Sequence, residues 1–190
     1  MTELVIATAN PGKLDEWRRL LAPLPFALRS ADELGLVAPD ETGATYLDNA
    51  AIKAIAAARS TGELAIADDT GIEIDALGGA PGVQTARWVA EHGGWDAALL
   101  ELVTTTGAIV GATVRATLVC AVVVADPQRE VARAQARIDG RLRWPPTHAP
   151  GPAAIFAPDD GEVMDAGVLV HRRVAFASIE AALRATSAGR

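Results

Sequence analysis

The chain has 190 residues, about 1.3 times the usual length of a single domain, which suits one domain with an elaboration better than two independent cores. Half of the residues are hydrophobic and 22% are charged, a balance too apolar for an intrinsically disordered chain. Lys and Arg number 17 against 24 Asp and Glu, a formal charge of −7, so a nucleic acid polymer would have to bind against the overall field. A small anion chelated by a divalent cation is still allowed, because that complex needs one local site and not a basic surface.

Glu3 to Thr8 is a short apolar run ending at Asn10-Pro11-Gly12-Lys13, after which Leu14, Trp17, Leu20 and Leu21 recur at helical spacing. The pattern predicts strand, tight turn and helix, with Asn10 as the cap, Pro11 in the first helical position and Pro23 and Pro25 as the stop. A polar stretch from Ala38 to Gly43 leads to a second helix expected over Tyr46 to Arg59, where Thr45 and Asp48 have capping-box spacing and Asn49 and Lys53 share a face. Leu64 to Ala67 reads as a brief buried strand that runs into a loop at Asp68-Asp69-Thr70-Gly71, and Gly78 to Gly82 marks a tight turn. Trp95 to Val103 reads as helix.

Thr113 to Ala125 and Glu130 to Leu142 read as extended segments joined by Asp126-Pro127-Gln128. The second alternates Ala132, Ala134, Ala136 and Ile138 with Arg133, Gln135, Arg137 and Asp139, which predicts a long hairpin with one wet face. Trp144 to Gly161 reads as loop, and a last helix is expected from Val174 to Thr186. The expected fold class is α/β, a sheet of mixed pairing with flanking helices. Cys120 lies in an apolar run and reads as a small core hydrophobe. The N-terminus lacks the basic flank and apolar stretch of a signal peptide, and no run of about 18 apolar residues occurs. A cytoplasmic protein with no membrane partner is the expectation.

Asn10, Lys13, Glu16, Glu41, Asn49, Lys53, Asp68 and Asp69 fall at helix starts, at the expected strand end or on polar helix faces, positions from which they can converge on one cleft. If Glu41, Asp68 and Asp69 meet, each like-charged pair at ~4 Å and an effective dielectric of ~20 costs roughly 4 kcal/mol. A hard cation relieves that cost, and magnesium usually takes one or two carboxylates and completes its shell with water and phosphate oxygens. Helix amides near Thr8 to Lys13 would favour phosphate. Each residue also has a purely structural role open to it. Asn10 can be only a cap, Lys13 and Glu16 an exposed i, i+3 pair, Lys53 a snorkelling surface residue, and one aspartate part of an Asp-turn.

Thr8-Ala9-Asn10-Pro11-Gly12-Lys13 with Glu16, Glu41-Thr42-Gly43, Asp48-Asn49-Ala50 with Lys53, Ala67-Asp68-Asp69-Thr70-Gly71, and Leu77 to Val83 with Ala86-Arg87 stand in a specific order and spacing. In this they resemble the inosine triphosphate pyrophosphatase family, enzymes that clear aberrant purine nucleoside triphosphates. The resemblance continues through the hairpin ending at Leu142 and then weakens. It implies a two-lobed α/β fold around a long central sheet, residues 1–190 serving as a single pyrophosphatase-like domain, and usually a homodimer. The implied reaction hydrolyses the α–β phosphoanhydride of a nucleoside triphosphate to the monophosphate and pyrophosphate with Mg2+. By position, Thr8, Ala9, Asn10, Pro11, Gly12 and Lys13 would hold the phosphates, and Asn49 and Thr70 would touch substrate. Glu41 and Asp69 would bind the metal with Asp68 beside them, Asp69 would activate water, and Lys13 and Lys53 would stabilise charge on the departing pyrophosphate.

The family's Gly-Phe-Gly-Tyr-Asp-Pro-like segment, which frames the base, corresponds here to Ala149-Pro150-Gly151-Pro152-Ala153-Ala154-Ile155-Phe156, without its rings or its aspartate. The family's later lysine has no counterpart, and its Ser-His-Arg signature is reduced to Val170-His171-Arg172, which leaves His171 open as a base contact or as an ordinary surface or loop histidine, and Arg172 as the better-placed base contact, with Arg173 offering the same charge one residue later. A lost stacking ring forfeits ~1–3 kcal/mol of base binding. The base-recognition segment is therefore expected to be degenerate and base preference relaxed, with Trp144 or Phe156 open either as a replacement ring or as core. A nucleotide-binding paralogue with lost turnover is the alternative.

Overall fold

The computed structural model describes residues 2–108 and 112–188. In chain order its elements are β1 (Thr2–Ile6), α1 (Pro11–Leu21), β2 (Phe26–Ser30), α2 (Tyr46–Thr61), β3 (Leu64–Ile74), α3 (Thr85–Glu91), α4 (Trp95–Thr105), β4 (Arg115–Ala125), β5 (Glu130–Leu142), β6 (Phe156–Pro158), β7 (Met164–Asp165), β8 (Val168–Leu169) and α5 (Val170–Ala188). Six strands form one sheet in the order β2-β1-β3-β4-β5-β6, while β7 and β8 pair with each other. β1 runs parallel to both of its neighbours, and β5 pairs antiparallel with β6, so this is the mixed α/β sheet that the sequence predicts. None of the described helices is long and apolar enough to cross a membrane.

The chain divides into two compact units, each with its own hydrophobic core. The first takes the described parts of residues 1–69, 120–136 and 172–190. Its core sets Leu4, Ile6, Leu64 and Ile66 of the parallel strands and Cys120, Val122 and Val124 of β4 with helix side chains. Trp17 and Leu21 come from α1, and Ala175, Phe176, Ile179 and Leu183 form one stripe of α5. Trp17 and Phe176 meet edge to face with ring centroids 6.3 Å apart, an arrangement worth about 0.5–1.5 kcal/mol beyond area burial. Burial lifts the pKa of Cys120 to about 12, so the thiol is a core group as expected. The second unit packs Ile72, Ile74 and Leu118 with Leu99, Leu102 and Val103 of α4 and with Ile155 and Phe156.

α2 opens with the expected capping box, in which Asp48 N–H donates to Thr45 Oγ1 at 3.2 Å and Thr45 N–H to Asp48 Oδ2 at 3.1 Å. It closes at Gly62, whose φ of 79° needs glycine. Three expectations change. β3 does not stop at Ala67 but continues to Ile74, which places Asp68 and Asp69 inside a buried strand instead of a loop. α5 begins at Val170 instead of Val174 and so takes in His171 and Arg172. The stretch from Trp144 to Gly161 holds a short 3-10 turn over Gly151–Ile155 and the strand β6.

Candidate active site

Period-two alternation puts successive residues of a strand on opposite faces. Leu64 and Ile66 of β3 belong to the core that contains Trp17, so Asp68 points to that face and Asp69 to the other. The two neighbouring carboxylates therefore meet different partners. Asp68 Oδ1 accepts from Trp17 Nε1 at 2.8 Å, while Oδ2 lies 3.0 Å from Lys13 Nζ and 3.2 Å from Arg172 Nη2. Burial alone would raise the Asp68 pKa, but Lys13, Arg172 and Lys53 outweigh it and hold the carboxyl well below its ordinary value. Its oxygens are committed to these donors. Asp68, which the sequence reading sets beside the metal ligands, thus faces Lys13, Trp17 and Arg172.

Asp69 is also buried, and its Oδ2 accepts from Asn49 Nδ2 at 3.2 Å. Burial raises the Asp69 pKa above its ordinary value; Lys53 and Lys13 oppose the shift and Glu41 adds to it. Glu41 is therefore within electrostatic reach of Asp69, and it also accepts from Lys53 Nζ at 2.6 Å. Asn49 and Lys53 share one face of α2 by their four-residue spacing. The structure thus assembles Lys13, Glu41, Asn49, Lys53 and Asp69 in one unit, from α1, α2, β3 and the loop that precedes α2.

At the start of α1, Asn10 Oδ1 accepts from the amides of Gly12 and Lys13 at 2.9 and 3.2 Å, and Thr8 Oγ1 accepts from Asn10 N–H at 3.2 Å. Of the amides expected to face a phosphate, those of Gly12 and Lys13 donate to the Asn10 cap, and Pro11 has none. Lys13, in the first turn of α1, is then the charged group presented beside the exposed stretch from Ala9 to Gly12. Glu16 does not form the exposed i, i+3 pair with Lys13. It is buried, with its Oε2 2.5 Å from Arg172 Nη1. Arg172 is 1% exposed and lies within ion-pair distance of two carboxylates, Glu16 and Asp68. Thr70 and His171 fall in the second unit, where Thr70 is half-buried and His171 buried. Phe156 is fully buried core, and Trp144 is 40% exposed.

Among the described residues there is no cluster of three or more His, Cys, Asp or Glu side chains able to cage a metal. The donor set that exists is the carboxylate pair Glu41 and Asp69 with lysines beside it. These side chains can hold a partly hydrated dication and an anionic ligand at once.

The sequence matches the Ham1 family over residues 4–165. This chain belongs to the Ham1 family. It is 46% identical over 162 residues to the dITP/XTP pyrophosphatase of Bradyrhizobium diazoefficiens, an alignment covering 83% of this chain and 77% of that protein. Among solved structures, the Ham1 protein of Staphylococcus aureus matches with a TM-score of 0.79 at 27% identity, covering 97% of this chain and all of that one. The nucleoside-triphosphatase, or dITP/XTP pyrophosphatase, of Mycobacterium abscessus matches with a TM-score of 0.68 at 32% identity, over 97% of this chain and 98% of that chain.

One glycine of this Ham1 chain bears directly on the site. Gly43 N–H donates to Asn49 Oδ1 at 2.7 Å, and a Cβ at this position would lie 2.6 Å from both Asn49 Oδ1 and Asp48 Cβ. Gly43→Ala therefore displaces the amide that orients Asp69. The expected result is a fall in kcat/KM of about tenfold to a hundredfold from misplacement, with a stability loss of about 1–3 kcal/mol from overpacking. Steady-state kinetics and a thermal melt check the two effects separately.

Proposed function

We propose that this protein is a nucleoside triphosphate pyrophosphohydrolase that acts on deaminated purine nucleotides such as dITP and XTP and releases the monophosphate and pyrophosphate. The observation that carries this reading is a desolvated carboxylate, Asp69, placed by Asn49 and flanked by Glu41, Lys53 and Lys13. The names of the Bradyrhizobium and Mycobacterium relatives support the substrate class.

Glu41 and Asp69 suit a hard, oxygen-seeking cation of the magnesium kind, which needs only one or two carboxylates when water and phosphate complete its shell. Such an ion supplies charge neutralisation and polarises the water and phosphate oxygens that it touches. The chain's own groups do the rest. Asp69, made more basic by burial, takes a proton from the water whose oxygen bonds to the α-phosphorus. The bond from that phosphorus to the bridging oxygen breaks, and pyrophosphate leaves with the bond's electron pair. Lys13 and Lys53 offset the charge that builds on it. Positioning and electrostatics of this sort provide nearly all of the catalysis in phosphoryl transfer.

The base-framing segment supports a relaxed reader of the nucleobase, because Ala153, Ala154 and Ile155 are packed into the second core and present no ring. We further place the enzyme in the cytoplasm as a homodimer, with the whole chain serving one activity. The test is a panel of standard, deaminated and modified nucleoside triphosphates, with product analysis in the presence and absence of magnesium. The expected result is magnesium-dependent pyrophosphate from ITP, dITP and XTP. No pyrophosphate from any nucleotide overturns the reading, and saturable binding without product would favour the non-hydrolysing paralogue.

A further inference from the structure

The chain between Ser30 and Tyr46 holds no strand or helix, and in it Val37 is 92% exposed and Asp40, Glu41 and Thr42 are exposed as well. A segment with so few apolar anchors depends on polar contacts for a fixed position. Two such contacts come from α2, on side chains one turn apart: Lys53 Nζ lies 2.6 Å from Glu41 Oε1, and Asn49 Oδ1 accepts from Gly43 N–H at 2.7 Å. Asn49 itself is 3% exposed. A backbone amide can only donate, so Asn49 turns its carbonyl oxygen to Gly43 and its NH2 the other way, where Nδ2 donates to Asp69 Oδ2 at 3.2 Å. Each side of this buried amide thus has its own partner.

We propose that Asn49 is a positioning residue that sets the separation of Glu41 and Asp69, and with it the affinity of the site for a divalent cation. The proposal rests on the reading of these two carboxylates as the ligands of the metal. Glu41 belongs to the loop and Asp69 to β3, so no shared element fixes the distance between them. The Asn49 amide reaches both, Asp69 directly and the loop through the Gly43 amide two residues beyond Glu41. Lys53 steadies Glu41 as well, but as a point charge on a flexible four-carbon stem it fixes direction less closely than a buried amide. Before an ion arrives, Glu41 and Asp69 are like charges within electrostatic reach of each other, and the pair is held against that repulsion by these contacts. Placing ligands before binding removes an ordering cost that the ion would otherwise meet.

The probe is Mn2+, a cation that accepts the same oxygen ligands as magnesium and whose unbound ion is counted by electron paramagnetic resonance. Titrated into the full chain without nucleotide, it is expected to bind about tenfold to a hundredfold more weakly to Asn49→Ala than to wild type, the usual loss when a group that orients metal ligands is removed. In a Glu41→Gln background Asn49→Ala should add less than about twofold, since a lone carboxylate has no separation to keep. Unchanged Mn2+ affinity with a lowered melting temperature would overturn the proposal by leaving Asn49 a role in the fold alone. An undiminished loss in the Glu41→Gln background would overturn it too, by showing that Asn49 acts on Asp69 without the loop. Gly43→Ala disturbs the same hydrogen bond from the loop side, so it carries the test, with the same expected direction, if Asn49→Ala does not fold. A wild-type chain that binds Mn2+ but releases no pyrophosphate from any nucleotide defeats the proposed activity and leaves the positioning question to the binding data. A wild-type chain that binds no Mn2+ defeats the reading of Glu41 and Asp69 as metal ligands, and the positioning proposal with it.

Discussion

Asp69→Asn is expected to lower kcat by about two to four orders of magnitude, the usual share of a general base, while nucleotide binding through Lys13 and Lys53 persists. The same substitution should stabilise the metal-free protein. Burial raises the folded-state pKa of Asp69 above its ordinary 3.8, so the unfolded chain ionises first as pH rises. Below that ordinary value both states are protonated and the group contributes nothing. Above it, the folded state carries an increasing cost of ionisation, which asparagine removes. Melting curves across the acid range should therefore show the variant level with wild type near pH 3 and above it by pH 7, at about 2–4 °C for each kcal/mol relieved. Added magnesium should reverse the order, because a ligand of the native state stabilises the protein that binds it. A variant no more stable than wild type at pH 7 without metal would show that Asp69 is not strained by its surroundings.

Much of this site is legible in the sequence, and the illegible part has a common cause. Thr45 and Asp48, Asn49 and Lys53, and the Asn10 cap are local patterns set by helix geometry, and each lies in the structure where the spacing puts it. Asp68 and Asp69 read as a strand end because aspartate disfavours strands. What lets β3 run through them is tertiary: Lys13, Trp17 and Arg172 receive one carboxylate and Asn49 the other. Arg172 lies 104 positions from Asp68, so no local window contains the pair. β2 is likewise a strand by virtue of its register with β1, from Thr2 with Phe26 to Ile6 with Ser30, and Phe26 to Ser30 has no alternation to announce it. β6 has three residues and ends in proline, a composition suited only to an edge. Gly140 on β5 permits it, since a Cβ there would collide with Ala157 O and the Phe156 ring.

Asp68→Ala is expected to be the most damaging single change in this unit. It removes the carboxylate that Lys13, Arg172 and Trp17 share and leaves the Arg172 guanidinium buried with Glu16 as its remaining ion-pair partner. Breaking a buried pair from one side costs about 3–5 kcal/mol, which for a chain of this size is a fall in Tm of about 6–20 °C. Burial works against ionisation of Asp68, and its cationic neighbours overcome it, so the folded-state pKa is depressed. The stabilisation it gives is then fully present above its ordinary 3.8 and is lost as pH falls toward the depressed value. The gap between wild type and Asp68→Ala should accordingly be wide at pH 7 and narrow below pH 3.8. Adjacent aspartates on one strand thus answer the same titration with opposite signs: as pH rises, removal of Asp69's charge helps the metal-free fold and removal of Asp68's charge hurts it. Equal signs at pH 7 would mean that the two carboxylates share one environment, and the assignment of one to chemistry and the other to the buried network would fall with that result.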